Sequence, residues 1–237
     1  MLNRVISPLR EFGALLGLLY IIDRVLSAVS PHARLFVYEI MVQPISSTPL
    51  VPLRWMKNLA FREIHRGDPL VASMPARDDI KENRYRQRAK CLGAFKAEKF
   101  IGYIWFVSGS YEEDEVNCTF VVTPEKESVF DFDLYLFPEH RMGLGFVSLW
   151  SGANEYLHSR GVKYTYSRVS RFNVASRRAH ARLGWQRVCT SVVLKLWRFE
   201  AMVATIFPYV HLTIGRRRVR LTLSPECLFA AKAAKRA

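Results

Sequence analysis

The stretch Leu134-Tyr-Leu-Phe-Pro-Glu-His-Arg-Met-Gly-Leu-Gly145 decides the reading of this chain. Leu134 to Phe137 are apolar or aromatic and read as the end of a buried strand. Pro138 cannot continue a ladder, and glycines at 143 and 145 open a turn. Beyond the turn, Phe146, Leu149, Trp150, Ala153 and Leu157 recur at three- and four-residue spacing, which predicts a helix from about Leu144 to Ser159, stopped by Gly161. A strand, a glycine turn and a helix in that order can hold an anion. The glycines remove side chains where backbone must approach a ligand, and the first helical turn presents unpaired N–H groups and the positive end of its dipole. His140 and Arg141 add positive charge at the rim. The same glycines also serve strand-to-helix geometry with no ligand present. The GxGxxG and GxxxxGK spacings of dinucleotide and nucleoside triphosphate sites are absent.

A second stretch, Ser170-Arg-Phe-Asn-Val-Ala-Ser-Arg-Arg-Ala-His-Ala-Arg-Leu-Gly-Trp185, follows an alternating segment (VKYTYSRV, 162–169) that reads as a strand. Residues 174–182 read as a short helix with Gly184 as its stop, and residues 186–197 resume as a strand. Together the two stretches resemble the GNAT superfamily of N-acetyltransferases, over roughly residues 88–200. The Phe100–Val107 strand, with Gly102, fits the same pattern. The string PEHRMGL and the N-terminal helix described below look like a bacterial subgroup of that family.

The resemblance implies an α+β fold with a mixed, mostly antiparallel central sheet flanked by helices. It also implies that the strand, a turn of the form Gln/Arg-x-x-Gly-x-Gly/Ala and its helix hold the pyrophosphate and pantetheine of acetyl-CoA or another acyl-CoA. In this sequence His140-Arg-Met-Gly-Leu-Gly145 fills the turn, with His140 where Gln or Arg is usual. The cofactor-side residues so implied are Leu136, Phe137, His140, Arg141, Met142, Gly143, Leu144 and Gly145, joined by Asn173 and Ser176 from the later helix. Asn173 reads equally as a helix cap. The family often carries a Tyr four residues before the closing Gly, acting as general acid on the leaving thiolate; His180 stands there. An imidazole donates a proton near neutral pH, so the role is chemically transferable, while a packed helix histidine explains the same letter.

Transfer to an amine also needs a base or a water relay. Asp131 and Asp133 share one strand face at spacing two and are the candidates, since neighbouring carboxylates raise one another's pKa. Solvated carboxylates beside arginine are the alternative. Glu112 to Glu115 read as an exposed acidic loop facing a cationic substrate. Arg168 and Arg171 are candidates for an anionic acceptor or the phosphates of the cofactor.

Further outward, residues 91–97 and 100–107 read as a hairpin turning at Glu98-Lys99, and Cys118–Val122 with Val129–Phe137 as a second pair. Residues 76–90 (ARDDIKENRYRQRAK) are polar and predict a solvent-facing helix or loop without a catalytic part. Near the N-terminus, Phe12, Leu15, Leu16, Leu19, Ile22, Leu26 and Val29 mark an amphipathic helix, followed by a strand at 35–42. This divides the chain into an N-terminal appendage (1–45), an acyltransferase-like domain (46–200) and an apolar and basic extension (201–237).

The chain has 237 residues, half of them hydrophobic, with 35 Lys and Arg against 21 Asp and Glu, a net charge of +14. That composition excludes disordered and coiled-coil classes and predicts an anionic partner. Coenzyme A, an acyl carrier protein and an anionic membrane surface all qualify. The four cysteines lack metal-ligand spacing and the histidines are scattered, so no metal is expected. The Phe12–Ile22 run is interrupted by Asp23 and Arg24 and is too short to span a bilayer, and no leader cleavage pattern follows it. A cytoplasmic protein, peripheral to the inner face of the membrane, is the expectation. The apolar segment Ala201–Ile214 runs directly into Gly215-Arg-Arg-Arg-Val-Arg220, which reads as a membrane-facing element or, equally, as core packing with a solvated basic edge strand. The competing expectation is a nonenzymatic basic module for anionic membrane or nucleic acid. Against specific nucleic-acid binding, the basic residues form no recognisable motif.

Overall fold

The computed structural model describes residues 8–141 and 145–228. In chain order its elements begin with α1 (Ala14–Val29), β1 (Ala33–Pro44), β2 (Leu59–Ile64), α2 (Asp78–Arg86), β3 (Lys90–Lys96), β4 (Lys99–Ser108) and β5 (Ser110–Glu112). They continue with β6 (Cys118–Val122), β7 (Ser128–Leu136), α3 (Gly145–His158), β8 (Tyr164–Ser170), α4 (Val174–Arg182), β9 (Gln186–Leu196), β10 (Phe199–Ala204), β11 (Val210–Ile214) and β12 (Val219–Leu223). The result is a mixed α+β architecture in which β1–β9, β9–β10, β10–β11, β2–β3, β3–β4 and β4–β7 pair antiparallel and β7–β8 pairs parallel.

The chain forms two compact units. The internal unit comprises Gln43–Tyr111 and Val121–Ser167; the terminal unit comprises Met1–Val42, Glu112–Phe120 and Arg168–Ala237. In the internal unit the strand order is β8-β7-β4-β3-β2. Its interior is aromatic: Trp105, Trp150, Tyr103, Tyr111 and Phe130 are fully buried. The β3–β4 hairpin turns at Ala97 and Glu98, both with positive φ (45° and 66°), one residue earlier than the sequence suggests. Two successive positive φ values give the turn the twist that a two-residue hairpin requires. On α3, Ser148, Leu149, Trp150, Ala153 and Leu157 are buried, and the Trp150 indole donates to Gln43 Oε1 at 2.9 Å.

In the terminal unit β1, β9, β10 and β11 pair in that order. Their register aligns apolar residues in rows across one face. Val37, Val192, Val203 and Val210 form one row, and Leu35, Leu194, Ala201 and Leu212 the next. The other face carries Phe36, Val193, Met202 and His211 in one row and Arg34, Lys195, Glu200 and Thr213 in another. That face is closed as far as the last strand, where Thr213 is buried.

Three expectations change here. The N-terminal apolar stripe is only partly buried on α1: its Leu16 is buried beside Gly17 and Asp23, whereas its Leu15, Ile22 and Val29 are exposed. Asp23 is held inside because it accepts from Arg34 Nε at 2.9 Å and from Leu35 N at 3.0 Å. β6 pairs with β12 instead of β7, a non-local partner that the local pattern does not reveal. The polar 76–90 segment does form a helix, α2, but Lys81 and Arg84 on it are buried.

Candidate active site

β7 runs parallel to β8 only from Ser128↔Tyr164 to Asp131↔Ser167. At that point its pairing with β4 slips between Tyr103 and Trp105, and Asp133 adopts φ 48°. The bulge re-aims the side chains on either side of it. Asp131 is buried and accepts from the Thr165 hydroxyl at 2.6 Å. Asp133 instead forms an ion pair with Arg84, and the Tyr103 hydroxyl donates to it at 3.4 Å. The two carboxylates therefore do not share partners, as a regular strand would have arranged. Gly102 permits the distortion on β4, because a Cβ there would lie 2.4 Å from the Tyr135 carbonyl oxygen.

Their environments differ in kind. Burial with no facing cation pushes the Asp131 carboxyl up to about 7, against the opposing effect of the Thr165 and Ser167 hydroxyls. Arg84, stacked over Trp105 and Phe132 at 5.5 and 5.2 Å, supplies Asp133 with a fixed positive partner. Burial also raises the Tyr103 hydroxyl far above its usual value, so it stays protonated and donates.

After Leu136 the strand ends in a single 3-10 turn, Pro138–His140. Phe137 N donates to Ile101 O at 3.0 Å, and the Arg141 guanidinium donates from Nε to Leu136 O at 2.8 Å while lying over the Tyr135 ring. His140 Nε2 is buried and has no hydrogen-bond partner among the described residues. A Cβ on Gly145 would stand 2.2 Å from His140 O, so only glycine lets the first turn of α3 close on the preceding loop. Met142, Gly143 and Leu144, expected in the cofactor turn, lie outside the described residues.

The remaining expected residues lie in the terminal unit. Asn173 caps α4, its Oδ1 accepting from Ser176 N at 3.0 Å. One turn on, His180 is buried, with Nδ1 2.7 Å from Ser176 O, 3.3 Å from Ser176 Oγ and its ring edge-on to Trp185 at 4.9 Å. A carbonyl at 2.7 Å assigns the proton to Nδ1, and burial lowers the ring's pKa below its ordinary 6.5, so the imidazole is neutral at pH 7. A neutral ring of that tautomer carries its lone pair on Nε2.

Several charged residues are drawn into internal ion pairs. Arg168 lies 3.2 Å from Glu113 and 2.6 Å from Glu115, over the Tyr38 ring at 4.2 Å, and Arg171 lies 3.4 Å from Glu39. The acidic run is not uniformly open: Glu113 is buried and its backbone carbonyl accepts from Arg218, while Glu112 and Glu115 remain about half exposed and are ion-paired with Arg218 and Arg168. Arg84 and Tyr103, which hold Asp133, were missed in the sequence; the one available signal was an Arg and aromatic content inside an otherwise polar helix. Among the described residues no group of three or more His, Cys, Asp or Glu is placed to hold a metal.

A strand that leaves its parallel neighbour at a bulge, then enters a helix through a turn closed by an obligatory glycine, matches the sequence resemblance. The fold is GNAT-like. No protein-family model matches the chain, and no curated protein sequence does. Among solved structures it is similar to a tandem GNAT protein from the clavulanic acid biosynthesis pathway, at 16% identity and a TM-score of 0.43, over 65% of this chain and 50% of that one. It is similar to an acetyltransferase assigned to the GNAT family from Novosphingobium aromaticivorans, at 12% identity and a TM-score of 0.47, over 69% and 66%. A ribosomal-protein-alanine N-acetyltransferase from Brucella melitensis matches at 16% identity and a TM-score of 0.39, over 52% and 89%. The chain spans half to two thirds of the length of the first two.

Proposed function

We propose that this GNAT-like chain is an N-acyltransferase that moves an acyl group, acetyl first among the candidates, from acyl-CoA to an amine. The observation that carries the reading is the end of the β7–β8 ladder at Asp131↔Ser167, followed by a turn in which Gly145 leaves no room for a side chain. Residues 132–136 of β7 run on past that ladder, which leaves extended backbone to pair with an amide-rich chain such as pantetheine. The rim charge of Arg141 and the start of α3 suit a diphosphate. Bound acyl-CoA supplies the activated thioester.

The protein's own groups handle orientation and protons. Asp133 is paired with Arg84, while Asp131, with its pKa near 7, is a carboxyl whose charge changes at working pH. It exchanges protons through the Thr165 hydroxyl that donates to it. His180, held neutral with its Nδ1 proton on the Ser176 carbonyl, is suited to accept a proton at Nε2, not to supply one to a thiolate.

Calorimetric titration with acetyl-CoA and free CoA tests the reading. We expect micromolar binding of both, weakened about tenfold or more in Arg141→Glu, where a repelling charge replaces an attracting one at the rim. A folded sample that binds neither compound at low salt overturns it.

A further inference from the structure

We propose that the apolar face formed by β9, β10 and β11 in the terminal unit docks on an anionic lipid bilayer. Exposure rises across each row of this face toward the edge. Val37 on β1 is 1% exposed, while Val203 and Val210 at the far end of its row are 57% and 63% exposed. In the neighbouring rows Leu212 and Ile214 are 64% and 76% exposed. Phe207, at 78%, projects from the β10–β11 loop beside the exposed Tyr209. A contiguous apolar surface of this kind marks an interaction site rather than scattered surface residues.

Charge selects the occupant. Gly215 N donates to Arg198 O at 2.8 Å, which brings the Trp197–Arg198 turn beside Arg216 and Arg217 at one end of the face. Nearby cations such as Lys195 and Arg218 are ion-paired with Glu200 and Glu112, so the positive charge at this end of the face comes from Arg198, Arg216 and Arg217. Glu200 lies on the opposite face, where it accepts from Asn117 N at 2.7 Å and pairs with Lys195 at 3.2 Å. A second copy docked on this face would bring two arginine clusters together without a carboxylate to separate them. Lipid phosphates meet the requirement: arginine stems lie along apolar surface with their heads at the phosphates, and exposed Trp and Tyr suit the boundary between headgroups and acyl chains. Among the described residues no helix is long and apolar enough to cross a membrane. The inference uses none of the residues assigned to acyl transfer and stands apart from that reading.

The test is sedimentation of the full chain with vesicles of phosphatidylcholine alone or mixed with phosphatidylglycerol, read alongside tryptophan fluorescence. We expect binding to the anionic vesicles only. A Leu212→Asp, Ile214→Asp double variant should weaken it more than tenfold, and an Arg216→Gln, Arg217→Gln variant about tenfold. A vesicle-induced blue shift should vanish in Trp197→Phe. Phe207→Ser provides a second probe of the face should the double variant unfold. No binding at low salt overturns the proposal, as does binding that folded Leu212→Asp, Ile214→Asp or Phe207→Ser protein retains in full. A dimer by light scattering that the face variants dissociate also overturns it and assigns the face to a second copy.

Discussion

Asp131 in the internal unit and Glu115 in the terminal unit are carboxylates that burial affects in the same direction, yet they end in opposite states. Asp131 has hydroxyl partners, and burial raises its pKa to about 7. Burial acts against Glu115 too, but the Arg168 guanidinium and the Tyr38 hydroxyl outweigh it and hold its pKa below the usual carboxylate range. Glu113, buried 3.2 Å from the same Arg168, is nevertheless pushed up by burial, so depth and partner act together: the cation prevails at half-exposed Glu115 and burial prevails at the deeper acids. The terminal unit keeps its carboxylates beside guanidiniums; the internal unit keeps one acid poised to change charge near neutrality.

Removing the partner is the strongest way to break this contrast. Arg168→Met should cost about 3–5 kcal/mol in urea denaturation, since Glu113 and Glu115 lose their cation together. A loss below about 1 kcal/mol would mean the pairing is incidental. Asp131 sharpens the contrast through pH. Its folded pKa of about 7 lies above its ordinary 3.8, so the folded state retains a proton that the unfolded chain has released between those values. Stability therefore falls as pH rises from about 4 to about 7 and levels off above. Asp131→Asn should remove that slope and be more stable than the parent by about 2–4 kcal/mol at pH 8.

The bulge beside Asp131 is open to a separate attack. Gly102→Ala drives a Cβ into the Tyr135 backbone, at 2.4 Å from its oxygen, and should cost about 1–3 kcal/mol while weakening acetyl-CoA binding in the same titration. The smallest effect belongs to His180. Its folded pKa is lowered, so the unfolded chain takes up a proton first as pH falls below 6.5, and stability drops there. His180→Gln should flatten that acid limb by about 1 kcal/mol or less, visible in thermal melts between pH 5 and 7.

The sequence made α3, α4, β8, β9 and the β3–β4 hairpin legible, because their apolar spacing and glycine stops are local signals. Asp131 and Asp133 were legible as candidates but not as separate environments, since the positive φ at Asp133 breaks the alternation that spacing assumes. Arg84 was hidden because its partner lies 49 residues away and its neighbours on α2 are polar. The run Glu112 to Glu115 looked solvated for the same reason: the guanidiniums that hold it come from β8 and from just before β12.

Among the described residues β11 is the edge strand of its sheet. Its outer row of N–H and C=O groups, on a strand rich in Val, Leu and Ile, is a template onto which another chain can add edge to edge. The arginine run that follows it acts as a gatekeeper, because stacking identical strands would stack those charges as well. Neutralising Arg216 to Arg218 is thus a change that concentrated stocks should register as turbidity, long before any assay of acyl transfer does.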